Sequence, residues 1–562
     1  MERRRPGATV VPLIVSTDKT QLTAFRDKMA YPIYLTIGNI PKQIRRKVTS
    51  QAQILIGYIP TTKLALIPGV TARRRALTNL FHTCMRNALG PISSYGETGI
   101  EMKSGNGIWR RCHPILATFI GDYPEQALVT CTYYGRCPKC EVPRGQLGDY
   151  QTFPRRVQST VIDTYQLCDA DAHTFNQACR EVGMKPVYHP FWVSLPLTDI
   201  FVSITPDVLH QMLQGMVKHL VMWLTKIFGA AAINTRCGMI PPNHKVKPFT
   251  KGITILSRVS GHEHKKMCSI LLGLIVDLPV PGGFDSTRII RAVRALMDFL
   301  FLAQYETHSS DTLRLLQESL ARFHENKQVF IDLNTRADFN LPKLHSLTHY
   351  VSSIQLYGST DNYNTEQTER LHIDYTKDAY RATNRKDEYS QMTKWLERRE
   401  KVLHHSAFII QKEQGHQPRS PARNHIGPPH ACPQKVKMAK NPEKRQVHFD
   451  ILVRDYGALE FQDMLAEFIA QLNHPHASGS ALQDRAHDTH IPFMQVSVFH
   501  KIKFTRSGNL NNELEIADVV HIRPDQKDSR GRIIPARFDT VLVESRKGQL
   551  VVNLTRVVLA TN

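Results

Sequence analysis

Four acidic residues of this chain stand where a carboxylate can serve a metal ion. Asp18 closes the apolar run VVPLIVST, and Asp122 closes a second such run, HPILATFIG. Glu366 and Glu369 lie together in YNTEQTERLH, at the start of a polar helical stretch. Breaking or transferring a phosphodiester calls for two metal ions about 4 Å apart, each with an open oxygen site. Mg²⁺ prefers carboxylates and water, and it is held by only a few protein acids. One Asp on a central strand, one at a neighbouring strand end and a later acid on a helix make an economical site. Asp18 and Asp122 fit the first two roles, and Glu366 or Glu369 fits the third. Each also has an ordinary reading, because strand-end Asp residues form turns and helix-start Glu residues complement the helix dipole. Glu125, three residues after Asp122, reads as a first-turn Glu of that kind.

CPKC, at Cys137 to Cys140, is the second chemical signal. Two thiolates at this spacing on a tight turn form half of a tetrahedral zinc site, and the other half must come from elsewhere. A redox dithiol and a pair of buried, unmetallated thiols are the competing readings. The other cysteines are scattered, which suits a reducing compartment rather than a disulfide scaffold. In GHEHKKM, His262 and His264 fall on different helix faces, so this segment reads as a helix start. Three basic segments are candidates for phosphate contacts: Lys42, Arg45, Arg46 and Lys47; Arg73, Arg74 and Arg75; and Arg381, Arg385 and Lys386. Such contacts set affinity and salt dependence rather than sequence choice. A solvated basic face is the alternative for each.

The elements that must position these groups follow from pattern and composition. Three short β-branched runs, VVPLIVST, YPIYLTIGNI and AQILIGYIP, read as reversing strands. ARRRALTNLFHTCMRNAL carries Leu77, Leu80, Phe81, Cys84, Met85 and Ala88 at helical spacing. A Gly-rich hairpin then leads to the strand that ends at Asp122. From about 140 to 350 helical patterns dominate, with Val208, Leu209, Met212, Leu213, Met216, Leu220 and Trp223 on one broad helix face. The expected division is 1–136, 137–350, 351–412, a basic Pro-rich linker at 413–446 and a small all-β domain at 447–562. With 562 residues and a net charge of +22, the chain can bury several cores and favours polyanions, nucleic acid first. No stretch of about twenty apolar residues occurs, so no membrane span is expected. The basic, then apolar N-terminus runs straight into Asp18 and is not read as a signal peptide.

STDKTQL, AYPIYLTIGNIPKQIRRK, GDYPEQALVTC, CPKC, NTEQTERLH and RGRIIPARFDTVLV occur in an order that resembles the Plavaka transposases, fungal relatives of CACTA-type and Kyakuja-like elements. The resemblance implies an α/β, ribonuclease-H-like mixed sheet with an Asp-Asp-Glu triad, interrupted by a large, mostly helical insertion. It assigns Asp18 and Asp122 as metal ligands. It prefers Glu369 as the third because of the acidic-basic Glu369-Arg370 pair, with Glu366 in reserve. It also pairs Cys137 and Cys140 with Asp207 and His210, which match an Asp-x-x-His pattern, as a structural zinc set. The implied activity is Mg²⁺- or Mn²⁺-dependent strand cleavage and strand transfer at transposon ends. Double-stranded DNA is the implied partner and a homo-oligomer on DNA the implied assembly, in the nucleus, with no small-molecule substrate. The alternatives are an inactive or domesticated DNA-binding protein on the same scaffold and a nuclease for RNA–DNA hybrids. Relatives carry a longer region before the first catalytic strand, so the chain is expected to be an N-terminally shortened form.

Overall fold

In TVVPLIVST the last five residues are buried, and this segment, β1 (Thr9–Thr17), is the central strand of a five-stranded mixed sheet. The computed structural model describes residues 7–413 and 434–538, apart from 24–27, 105–106, 170, 242–247, 258, 440, 475–476, 478, 507–515 and 528–530. β2 (Pro32–Ile37) runs antiparallel to β1, and β3 (Ile54–Tyr58) runs antiparallel to β2, the reversing arrangement expected of the three runs. The long helix α1 (Val70–Thr98) follows. Next comes a hairpin of β4 (Ile100–Lys103) and β5 (Trp109–Ile120). β5 lies on the other side of β1 and runs parallel to it, giving the order β3-β2-β1-β5-β4.

A strand with layers on both faces must be apolar on both, and β1 is. Val15 joins Phe119 and Leu116 of β5 and Phe81, Met85 and Leu89 of α1 in one core, completed by Phe191, Trp192 and Phe201. On the opposite face Ile14 and Ile120 pack with Tyr363. The sheet is therefore covered by α1 on one side and by the approach to residue 365 on the other.

After β5 the chain is largely helical. α2 (Tyr123–Val129) is short; a π-helical segment (Val208–Val217) continues into α3 (Lys218–Phe228). α4 (Gly261–Ile275), α5 (Thr287–Ala303) and α6 (Ser310–Asn326) pack with them in a second large core. α4 begins with a capping box between Ser260 and Glu263, so GHEHKKM is a helix start. The seven apolar residues expected on the Val208–Trp223 face are all buried, but the first ten residues of that helix are π rather than α. α7 (Pro342–Ser346), α8 (Tyr350–Tyr357) and α9 (Thr365–His372) return the chain to the sheet. These elements belong to one compact unit, Met1–Ser420. Among the described residues no single helix is long and apolar enough to cross a membrane.

The second unit, Pro421–Asn562, departs from the all-β expectation. Its strands Gln434–Met438, Lys501–Arg506, Ile516–Arg523 and Arg537–Phe538 form a sheet, and Lys444–His448 pairs with Gln495–Val498. Three helices, Phe449–Tyr456, Phe461–Asn473 and Ser480–His487, stand among them. Phe449, Leu452 and Tyr456 recur at helical spacing and supply much of the core with Val447, Val496, Val498, Ile502 and Ile522. The expected linker is likewise shorter than 413–446, since 434–438 and 444–448 are strands. The run QLVVNLTRVVLA, a strand-like part of the expected all-β domain, lies outside the described residues.

Candidate acidic site

The parallel pairing of β1 and β5 decides where two of the acids go. Ser16 pairs with Ile120, so Asp18 and Asp122 each stand two residues past partnered positions, at the same end of adjacent strands. Neighbouring strands are about 4.8 Å apart, and this end of an open α/β sheet is where ligands bind. Asp122 is also the N-cap of α2, its Oδ1 accepting the Glu125 N–H at 2.9 Å. That cap fixes the start of α2 and turns Glu125 back toward β1. Gly121 permits the approach, because a Cβ there would sit 2.8 Å from the Glu125 Cβ.

Both aspartates are held above the ordinary carboxylate range. Burial pushes the Asp18 pKa up to about 7, helped by the charges of Asp122, Glu369 and Asp207 and opposed by His210. Asp122 is raised chiefly by burial, against its hydrogen bond from the Glu125 N–H and the charge of His210. Asp18, Asp122, Asp207 and Glu369 thus act as one cluster of like charges with one imidazole among them.

The π-helical segment delivers that imidazole. Asp207 caps it, accepting from the N–H groups of Leu209 and His210 at 3.1 and 3.0 Å. The Asp207 side chain is 1% exposed, and the Thr365 hydroxyl donates to its other face at 2.7 Å. His210 Nδ1 meets Asp207 Oδ2 at 2.7 Å, and Nε2 meets Glu369 Oε1 at 3.2 Å. Burial opposes a charge on His210, but these two carboxylates overcome it and push its pKa up to about 10. His210 is therefore an imidazolium at neutral pH, with both ring N–H groups donated to acids. A Cβ on Gly215 would fall 2.6 Å from the His210 carbonyl oxygen, so the wide π turn needs a glycine there.

Glu369 reaches His210 from α9 although its side chain is 43% exposed, and Glu366, at the first turn of the same helix, is exposed as well. Glu125 is more than a first-turn Glu. It is 7% exposed, and the Tyr31 hydroxyl contacts its two oxygens at 2.6 and 2.7 Å. Thr17 donates to it at 3.1 Å. Burial, reinforced by Asp122 and Asp18 against the bonds from Tyr31 and Thr17, pushes its pKa up to about 8. The sequence offers only the first-turn reading of Glu125, since its partner Tyr31 lies 94 positions away.

Asp207 and His210 do not join Cys137 and Cys140, which corrects the expected zinc set. A capping Asp turns its carboxylate onto its own helix, and His210 follows it into the acidic cluster. The two thiols instead meet His345 and His349. Two groups of described side chains bring three or more metal-type ligand atoms within 4.8 Å of one another: Cys137, Cys140, His345 and His349, and the more exposed Cys168, Asp169 and His189. The acidic trio is not among them.

Of the basic candidates, Lys42, Arg45 and Arg46 are committed within the fold. Lys42 and Arg46 bind Asp361 at 3.0 and 2.6 Å, and buried Arg45 binds the Asn362 side chain at 2.8 Å. Together they fasten the β2–β3 connection to the segment ahead of α9. Arg73 donates to the Ile67 carbonyl, and Arg381 pairs with Asp378. Lys47, Arg74, Arg75, Arg385 and Lys386 are exposed.

Residues 1–224 match the family model described as Plavaka transposase, and the chain is transposase-like over that stretch. The match includes Asp18, Asp122, the CPKC turn and Asp207-Val-Leu-His210, and it ends before Glu369. A comparison with curated proteins gives no match.

Proposed function

We propose that the Met1–Ser420 unit is a metal-dependent DNA strand-cleavage and strand-transfer core of the Asp-Asp-Glu type. One observation carries the reading: Asp18 and Asp122 end adjacent parallel strands at the same edge, where Glu369 arrives on α9. The order of three reversing strands and a parallel fourth agrees with a ribonuclease-H-like sheet, with the helical stretch between α2 and α9 as its insertion. The family match over residues 1–224 supports a transposase-like chemistry.

The donor set suits a hard divalent cation. Asp18, Asp122 and Glu369 offer only carboxylate oxygens, and their mutual repulsion is what a cation would relieve. Two Mg²⁺ or Mn²⁺ ions held there would supply a water of lowered pKa and neutralise the departing 3′ oxygen. The protein's own residues do the positioning. Asp122 is oriented by the N–H of Glu125, and Glu369 by His210, itself aimed by Asp207 and Thr365. Glu125 lies behind the two aspartates, clamped by Tyr31 and Thr17. Exposed Lys47, Arg74, Arg75, Arg385 and Lys386 serve phosphate contacts along double-stranded DNA. A nuclear site of action and a homo-oligomer on DNA belong to the same reading.

Nicking of supercoiled plasmid in Mg²⁺ or Mn²⁺ tests it. Asp18→Asn, Asp122→Asn and Glu369→Gln abolish nicking, while Glu366→Gln retains it. Full nicking by Asp18→Asn removes the assignment. A second reading, a DNA-binding protein that keeps the scaffold without catalysis, draws on the His210–Glu369 pair, in which the third acid already has a cationic partner. It predicts DNA binding with no metal-dependent nicking by the unaltered chain.

A further inference from the structure

Cys137 and Cys140 on one turn and His345 and His349 some two hundred residues later form a group that the acidic site does not use. Their ligand atoms all lie within 4.8 Å of one another. Cys137 Sγ is 3.2 Å from His349 Nε2, and Cys140 Sγ is 3.1 Å from His345 Nε2. The thiols and His345 are buried, and Val142, Leu147 and Phe153 pack around the thiols as an apolar shell. The Lys139 N–H points at Cys137 Sγ at 3.3 Å, as it would toward a thiolate on a Cys-x-x-Cys turn. His345 lies in α7 and His349 closes the 3₁₀ turn Leu347–His349 that follows it, and their ring nitrogens converge on the two thiols.

We propose that these four side chains bind one Zn²⁺ ion. Two soft sulfurs and two imidazoles form a closed tetrahedral set of the structural kind, and that set selects zinc over Mg²⁺ or Mn²⁺. With Zn–S about 2.3 Å and Zn–N about 2.0 Å, sulfur and nitrogen on one tetrahedral ion stand about 3.5 Å apart. The present contacts of 3.1 and 3.2 Å need to open by only about 0.3–0.4 Å to admit the ion.

The ion's place in the chain gives it a task. The cysteine turn comes shortly after α2, whose first turn Asp122 caps. The histidine pair leads through α8 to α9, which carries Glu369. Zinc at this point ties the two segments that must bring Asp122 and Glu369 to one place, and so closes the two ends of the long helical stretch on each other. The proposal concerns metal content and does not rest on the cleavage reading.

Metal analysis of the purified full chain after exhaustive dialysis tests it. The expected content is about one zinc per chain. Cobalt exchanged into the unaltered protein gives the visible bands of a tetrahedral site together with sulfur-to-metal charge transfer. Cys137→Ser and His349→Ala lose the ion, whereas Asp207→Asn and His210→Ala keep it, which separates this set from an Asp-x-x-His alternative. Because the cysteine variants can misfold, the cobalt spectrum and reversible chelation of the unaltered chain, followed by circular dichroism, are the primary readouts. A folded, metal-free chain that shows no cobalt spectrum overturns the proposal, as does zinc that survives loss of both thiols. A Cys137–Cys140 disulfide in freshly purified protein overturns it as well. Loss of nicking with zinc content intact bears on the acidic site alone.

Discussion

Replacing Asp18 by Asn removes a carboxylate that the metal-free fold holds against its preference. Burial and the neighbouring acids raise this group from 3.8 to about 7. At about 1.4 kcal/mol for each tenfold change in proton affinity, keeping it charged at pH 8 costs the fold on the order of 4 kcal/mol. The amide preserves shape and carries no charge to desolvate; the shift already includes the attraction of His210, and relaxation around the charged form leaves about half of this, ~2 kcal/mol, as the expected gain in stability. Unfolding entropy of about 2.1 cal/mol/K per residue over Met1–Ser420 makes that a rise in Tm of about 2 °C. The sign is fixed by the pKa. Between pH 3.8 and 7 the native chain binds more protons at Asp18 than the unfolded chain, so the penalty grows with pH across that window and is full above it. By pH 5 the advantage of the variant shrinks to under half. Calorimetry in a chelator at pH 8 and pH 5 measures both values. Added Mg²⁺ should then stabilise the unaltered protein and leave the variant unchanged, which narrows or reverses the order. A variant less stable than the parent in chelator at pH 8, or an equal response of the two to Mg²⁺, refutes the reasoning.

Two further predictions concern histidines. His82 is fully buried, with Nε2 against the Leu128 carbonyl at 3.1 Å and Nδ1 accepting the Phe191 N–H at 3.4 Å, and burial pushes its pKa down to about 3. The unfolded chain takes up a proton below pH 6.5 that the native chain refuses, so stability falls as pH drops from 6.5 toward 3, by on the order of 4 kcal/mol from this group. Urea titrations across that range should show the slope and lose much of it in His82→Gln; an unchanged slope counts against the assignment. His210→Ala leaves Asp207 buried without its cationic partner and should cost about 3 kcal/mol at neutral pH. The stability that His210 contributes is fully present below pH 6.5 and is lost as pH rises through about 10, so alkaline denaturation should be steeper in the parent than in the variant.

The sheet and its acids were legible because their signals are local. Continuous apolar runs that end in Asp read as buried strands, and parallel pairing then carries Asp18 and Asp122 to one edge without further specification. The π turn was not legible, because Leu209, Met212, Leu213 and Met216 satisfy an α pattern equally well over so short a span. Asp207 and His210 have the spacing of a ligand pair, and only the capping geometry reveals that they turn away from the thiols. His345 and His349 carry a visible signal, two histidines four apart in HSLTH, but the Asp-x-x-His pattern points to Asp207 and His210 instead. Lys42 and Arg46 read as free cations because their partner, Asp361, lies more than three hundred residues away. In the C-terminal unit, Phe449, Leu452 and Tyr456 show why strand-rich surroundings hide a short amphipathic helix.

The acids of this cluster are scattered along the chain, and that has a consequence for protein synthesis. Asp18 and Asp122 leave the ribosome early and can already stand on neighbouring strands. His210 follows, and Glu369 is made some 250 residues after Asp122. At about 5–20 residues per second, that interval lasts roughly ten to fifty seconds. Throughout it the growing polypeptide holds a half-built edge that lacks Glu369. A chain that stalls or is clipped anywhere before α9 is left in the same state, so the complete cluster belongs only to molecules translated through residue 369.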